Sequence, residues 1–286
     1  MKTLILTILM MAATAQAGLL EAYWARSGGG GGAWTPASIS PSAWYNSTTI
    51  SVTPSNTISA WSDAMDNSSR RLFQNTGSAQ PIYSNSAAWF NNSTMVISST
   101  NPFCYAAGSM TLMFIAKGTN VSTGQSAPSV FSETSTTLSF PVYSCDIGRY
   151  DVTPSGMRMF MRNDAYAQID GTEGGGITGG NGVFINTVKL YSVNDYGNSV
   201  TNYVDGTNYV AAAYTRSGTM SVNRMSLGGW QRAALALPYN GFIYEVIISA
   251  PAMTESNRLK CEGYLAWKHG IQGNLPANHP YKGSAP

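Results

Sequence analysis

Met110-Thr111-Leu112-Met113-Phe114-Ile115-Ala116 is an almost unbroken apolar run without a single charge. Strict alternation would mark a strand with one wet face, whereas a continuous run of this length marks a strand covered on both. Short β-like runs lie on either side of it. Met157, Met159 and Met161 alternate with Arg158, Phe160 and Arg162, which places one face in a core and leaves the other partly wet. Val183 to Val193 and Phe242 to Ile248 read as two further strands rich in β-branched residues. Asn202-Tyr203-Val204-Asp205-Gly206-Thr207-Asn208-Tyr209-Val210 holds a strand, an Asp-Gly turn and a second strand, a strong hairpin signal. No long helical period interrupts the stretch from Trp34 to about residue 250. The expectation is all-β, built as a sandwich of two antiparallel sheets.

One helix follows. Thr254 can cap its N-terminus, Glu255 suits the positive end, and Lys268 and His269 suit the negative end. Leu259, Gly263, Ala266, Trp267 and Ile271 fall on one stripe that is expected to face the core, and Gly270 is placed to stop the helix.

The chain has 286 residues with 16 Lys+Arg, 14 Asp+Glu and 2 His, for a net charge of +2. Only 10% of residues are charged, against roughly 25% in ordinary soluble domains. Ser, Thr, Asn, Gly and Tyr carry the polarity instead. Disorder calls for high charge and few aromatics, whereas 11% of this chain is aromatic, so a packed core is expected. A net charge this small supplies no field to gather phosphates, which argues against nucleic acid as a partner. Two histidines and three cysteines leave little material for a zinc cluster or a histidine-based catalytic machine.

Residues 1–17, MKTLILTILMMAATAQA, combine a basic start, an apolar run and an Ala15-Gln16-Ala17 ending. That is the pattern of a secretory signal cut after Ala17, and the run is too short to cross a membrane. The alternative is a retained apolar helix that docks on the domain or a partner. Gly28 to Gly32 are five consecutive glycines, a flexible tether. The organisation expected is therefore an N-terminal segment over 1–27, a linker over 28–32 and one domain over 33–286. Cys104, Cys145 and Cys261 are an odd number. A Cys104–Cys145 bridge is one reading, and three small buried thiols is the preferred one. The glycine-rich stretch from Asp170 to Gly182 has no Lys after its glycines and no strand-to-helix setting, so it is read as a surface loop and not a phosphate loop.

The C-terminal run Glu262-Gly263-Tyr264-Leu265-Ala266-Trp267-Lys268-His269-Gly270 is followed by Asn274-Leu275-Pro276-Ala277-Asn278-His279-Pro280-Tyr281-Lys282. Together they resemble the end of concanavalin A-like lectin/glucanase domains of the laminin-G-like kind found in phage structural and bacterial surface proteins. Tyr244-Glu245-Val246-Ile247-Ile248 is similar to the strand that precedes the helix in that family. Near the start, Pro41-Ser42-Ala43-Trp44-Tyr45 resembles the family's opening, with Asn46 where an Asp is usual. Ser59-Ala60-Trp61-Ser62-Asp63 resembles its Trp-x-Asp segment, closed by Gln80-Pro81. The resemblance covers roughly 34–286, by motif at both ends and by strand rhythm between. It implies a jelly-roll sandwich with the terminal helix packed on it, and a setting on a virion or cell surface. Many members bind glycans and some cleave them.

Cleavage in the glucanase branch needs Glu-x-Asp-x-x-Glu on one strand, so that alternate carboxylates face the sugar as nucleophile and acid. No such spacing occurs here. Asp164, Asp170 and Glu173 sit on and beside the glycine-rich loop, and Asp146 and Asp151 point to opposite faces of a strand. No enzymatic role is expected. Sugar recognition commonly uses an aromatic platform ringed by amide and hydroxyl groups, for which Trp230, Tyr239, Trp89 and Tyr166 are the candidates. Trp230 follows Gly228-Gly229, a turn expected to expose its ring. No cofactor is required; calcium is left open, with Asp170 and Asp205 before Gly-Thr as the candidate carboxylates. The expected function is a non-enzymatic virion or adhesion protein that binds a neutral glycan or decorates a particle. Its N-terminal segment would join other virion or surface proteins, and the chain would act as a homo-oligomer or within a larger assembly. A secreted bacterial carbohydrate-binding module and a degenerate glycoside hydrolase are the alternatives.

Overall fold

The structure is a computed structural model that describes residues 34–91, 97–119, 128–139, 141–147, 157–165, 186–215, 218–231 and 235–286. The signal-like segment, the glycine tether, Asp151, Tyr166, Asp170, Glu173 and the glycine-rich loop lie outside the described residues.

The strands run β1 (Ala43–Tyr45), β2 (Ile50–Val52), β3 (Ile58–Trp61), β4 (Leu72–Phe73), β5 (Ile82–Ser84), β6 (Ala87–Phe90), β7 (Ile97–Ser99), β8 (Met110–Gly118) and β9 (Ser129–Thr134). They continue as β10 (Val142–Ile147), β11 (Met157–Arg162), β12 (Lys189–Asp195), β13 (Ser199–Val204), β14 (Thr207–Ala213), β15 (Arg224–Leu227), β16 (Trp230–Gln231), β17 (Leu235–Ala236) and β18 (Gly241–Ser249). One sheet has the order β14-β13-β12-β8-β18-β6-β5, with β1 added on β18. The other has the order β11-β10-β9-β15-β7-β4-β3-β2, and β16 with β17 forms a small ribbon. All these pairings are antiparallel, so the all-β sandwich expected from the sequence is the fold observed.

The apolar run behaves as its pattern requires. On β8, Met110, Leu112, Phe114 and Ala116 point between the sheets, where they meet Phe131, Tyr143, Tyr191 and Val246. Met113 and Ile115 point the other way and pack with Leu190, Ile247 and Leu265. That second layer belongs to the helix, α1 (Glu255–Lys268), which explains why this strand needs no polar face. Met157, Met159 and Met161 all enter the core between the sheets. Asp205 and Gly206 both take positive φ, 50° and 78°, in the tight turn from β13 to β14, the backbone that makes Asp-Gly the preferred pair there. The three cysteines are free and buried, and burial pushes each thiol up from its ordinary range.

The two N-terminal motifs are tied together. The Trp44 N–H donates to Asp63 Oδ1 at 2.8 Å, and Trp61 Nε1 donates to the Asn46 carbonyl at 2.8 Å. Asn46 accepts the Thr48 N–H at 2.9 Å and so caps its own turn. These residues close the sandwich beside β18.

α1 starts and stops where the caps predict. Thr254 Oγ1 accepts the Asn257 N–H at 3.4 Å. At the other end Gly270 N–H bonds Trp267 O and Ile271 N–H bonds Ala266 O, with Gly270 at φ 68°, a Schellman stop. The buried face shares Gly263 and Ala266 with the expected stripe, and Ile271 packs beside it, but the rest differs. It carries Arg258, Cys261, Glu262 and Leu265, flanked by Tyr264 and Ala266, while Leu259 and Trp267 are only half-buried. The physical reason is an ion pair on the inner face: Arg258 Nη1 contacts Glu262 Oε1 at 2.5 Å, and Ser192 Oγ donates to the same carboxylate at 2.8 Å. Charges that neutralise each other can be buried, so an apolar-periodicity reading misplaces the face. Trp267 instead covers the C-terminal tail, donating through Nε1 to the Tyr281 carbonyl at 2.8 Å.

Candidate functional site

α1 covers only part of the outer face of its sheet. Beyond its C-terminal end lie Trp89 on β6, Phe242 and Tyr244 on β18, Lys117 on β8 and Ile82 on β5, all half-buried. Strand register sets them side by side. Trp89 pairs with Ile82 on one edge and Phe242 on the other, and Phe242 pairs with Lys117. The Trp89 and Phe242 rings stack with centroids 6.3 Å apart and planes 26° apart. Phe242 and Tyr244 follow at 6.2 Å and 33°, and Tyr244 meets the His269 ring edge-on at 5.9 Å.

The local sequence explains the row. From Gly241 the strand alternates, with Gly241 and Ile243 buried inward and Phe242 outward. The register then shifts between Ile243 and Glu245, which leaves Tyr244 as the extra residue of a β-bulge. A bulge re-aims a side chain, and here two consecutive residues, Tyr244 and Glu245, serve the outer face. Gly241 permits the close approach to β8: at φ 155°, a Cβ there would stand 2.3 Å from the Lys117 carbonyl oxygen.

Glu245 anchors the end of the row. Its carboxylate accepts Trp44 Nε1 at 2.7 Å, Lys268 Nζ at 2.8 Å and His269 Nε2 at 2.9 Å. Burial alone would raise this carboxyl, but the His269 hydrogen bond and the Lys268 charge hold it below the usual range. Those bonds fix the His269 ring against Tyr244, whose phenol burial pushes up. The arrangement is a row of half-buried aromatic rings with one polar end.

Of the residues singled out from sequence, Trp89 lies in this row. Trp230 does not, and the expectation of an exposed ring is corrected. It is only 5% exposed and stacks on Phe160 with centroids 5.7 Å apart and planes 9° apart, beside Val142 and Leu237. The turn at Gly228-Gly229 folds back over the other sheet, held by Ser132 Oγ to Gly229 O and Thr134 Oγ1 to Gln231 O, both 2.9 Å. Turn chemistry fixes that the chain reverses, not which side the next ring lands on. Tyr239 is likewise a core residue, 2% exposed and packed beside Phe90 between the sheets, so it is no surface ligand group. Asp205 is buried in its turn and bonds Lys189 Nζ at 2.5 Å and the Leu190 N–H at 3.0 Å. No group of three His, Cys, Asp or Glu suited to a metal ion occurs among the described residues. Phe242, Tyr244 and Lys117 were not singled out from the sequence. The available signal was the in-out alternation from Gly241 to Tyr244, whose two outward residues are both aromatic.

No protein-family model matches the sequence, and no curated protein matches it. Among solved structures, a Trypanosoma rangeli sialidase in complex with sialic acid is similar over 88% of this chain and 38% of its own, at 12% identity and a TM-score of 0.54. The chain thus spans well under half of that protein's length. A carbohydrate-binding module (CBM40) of a Ruminococcus gnavus IT-sialidase bound to α2,3 sialyllactose aligns over 52% of this chain and 78% of its own, at 16% identity and TM-score 0.39. Domain 4 of a GH43 extracellular arabinanase from Geobacillus stearothermophilus aligns over 62% and 81%, at 11% identity and TM-score 0.41. At 12% identity the likeness to the sialidase is one of fold alone.

Proposed function

We propose that the chain is a non-catalytic, lectin-like domain that holds a saccharide against the Trp89–Phe242–Tyr244 row. The half-buried stacked row carries the reading. One face of a sugar ring is a sheet of C–H groups that packs on an aromatic face, while its hydroxyls point outward to polar neighbours. Rings fixed on paired strands supply that surface with little ordering cost on binding. Each contact contributes about 0.5–1.5 kcal/mol, so affinity for a short oligosaccharide is modest.

The commitments of the buried carboxylates support binding without cleavage. Glu133 accepts the backbone N–H groups of Phe103, Cys104 and Tyr105. Asp195 accepts the hydroxyls of Tyr143 and Tyr214. Glu245 and Glu262 brace the helix. Each is occupied with holding the fold, whereas glycoside hydrolysis needs an acid and a nucleophile facing one sugar. The laminin-G-like resemblance at both ends of the chain supports a place on a virion or cell surface, with the N-terminal segment as the attachment.

The test is a glycan array probed with the full chain and with Trp89→Ala. Retention of one glycan class by the wild type, and its loss in a variant that still unfolds cooperatively, is the expected result. Full retention by the variant, or release of product sugars on prolonged incubation, would overturn the reading.

A further inference from the structure

We propose that Lys117 makes this row selective for saccharides that carry a negative group, a carboxylate or a sulfate, over their neutral counterparts. The inference rests on the reading of the row as a saccharide platform. Lys117 sits directly opposite Phe242 in the β8–β18 register, as Trp89 sits opposite Phe242 on the other side. Directly paired antiparallel residues have Cβ atoms about 4.5–5.5 Å apart on one face of the sheet. The Lys117 side chain therefore leaves the same face of the sheet as the two stacked rings, and the residue is half-buried.

The other cations of this region are already paired. Lys268 and His269 both contact Glu245, Lys189 contacts Asp205, and Arg258 contacts Glu255 and Glu262. Among the described residues, no carboxylate lies within ion-pair distance of Lys117. The one acidic group at the row's other end, Glu245, is enclosed by its three donors. A ligand stacked on Phe242 thus meets, among the described residues, a cation without an ion-pair partner on one flank and no free carboxylate on the other. A carboxylate or sulfate placed there forms a charge-assisted hydrogen bond in a partly desolvated setting, where such bonds exceed neutral ones. The chain's net charge of +2 describes its far field, which is weak. It does not describe this local charge, and the neutral ligand expected from composition becomes an anionic one.

The experiment compares, on one array, neutral glycans with sialylated and sulfated forms of the same backbones, using full-chain wild type, Lys117→Gln and Trp89→Ala. The wild type is expected to retain the anionic forms about tenfold better than their neutral parents, with the preference shrinking as salt rises. Lys117→Gln is expected to erase that preference by weakening the anionic forms more than the neutral ones, at unchanged melting temperature, because the Lys117 side chain makes no hydrogen bond or ion pair among the described residues. Sialylated and sulfated arms separate a carboxylate requirement from a sulfate requirement. Equal retention of neutral and anionic forms by the wild type, or equal weakening of both by Lys117→Gln, overturns the proposal while the platform reading stands. Retention of no glycan by the wild type, or binding that survives Trp89→Ala undiminished, overturns the platform itself.

Discussion

Replacing Gly263 by Ala should destabilise the protein, although helix propensity predicts the opposite. Gly263 lies in the interior of α1, where Ala is favoured by about 1 kcal/mol. A Cβ at this position would stand 2.5 Å from Tyr281 Cβ and 2.8 Å from its Cγ, about 1 Å inside ordinary carbon contact. Tyr281 has little room to retreat. Its carbonyl accepts Trp267 Nε1 at 2.8 Å, and its N–H donates to His279 Nδ1 at 3.2 Å. His279 is buried and reaches Glu262 through Nε2 at 3.3 Å. Overpacking of this kind costs about 1–3 kcal/mol, and displacing the tail forfeits the Trp267 hydrogen bond, about 1 kcal/mol more. Set against the propensity gain, the net loss is about 1–3 kcal/mol, read by reversible urea unfolding followed by circular dichroism. Tyr281→Gly removes all three atoms that the new Cβ meets, so in that background Gly263→Ala should be neutral or stabilising by up to about 1 kcal/mol. A stabilised single variant, or a penalty that persists without the Tyr281 side chain, would refute the reasoning.

Trp230→Ala should cost about 3–5 kcal/mol, as aromatic truncations in cores do, because the ring is buried on Phe160; glycan retention by the folded fraction should be unchanged. Trp267→Ala should cost less, about 1–3 kcal/mol, since the ring is half-buried and its loss removes one hydrogen bond to the tail. Glu245→Gln should cost about 3–5 kcal/mol at pH 7, leaving Lys268 and His269 without their buried partner. The carboxyl of Glu245 is held below its ordinary value in the folded state. Its stabilising effect is therefore complete above the unfolded value of about 4.3 and is lost as pH falls through the folded one. Acid titration of stability should show a limb below about pH 4.3 that is shallower in Glu245→Gln.

Much of the fold was legible because it is written locally. The unbroken run at Met110–Ala116 required two covering layers, and the second sheet and α1 are those layers. Asp205-Gly206 gave a turn, and Thr254 and Gly270 gave the helix ends. What was not legible depends on partners distant in sequence. The inner face of α1 was misplaced because Arg258 and Glu262 are buried as a pair that apolar periodicity cannot see. Trp230 read as exposed because a Gly-Gly turn says nothing about the sheet it folds onto. Trp89 stood out as an isolated ring, but its neighbours Phe242 and Lys117 became visible only once β6, β18 and β8 were known to be adjacent. The bulge that brings Glu245 to the outer face beside Tyr244 leaves no sequence mark of its own.

The central claim is that a saccharide lies on the outer-face row and not under the Trp230 turn. Indole N–H resonances report this directly, because Trp89 belongs to the row while Trp230 and Trp61 are buried elsewhere. Titrating the full chain with the glycan best retained on the array should shift the Trp89 signal, assigned by its absence in Trp89→Phe, in a saturable way. The Trp230 and Trp61 signals should stay in place and the glycan should remain intact. A saturable shift of Trp230 with Trp89 unmoved would contradict the account.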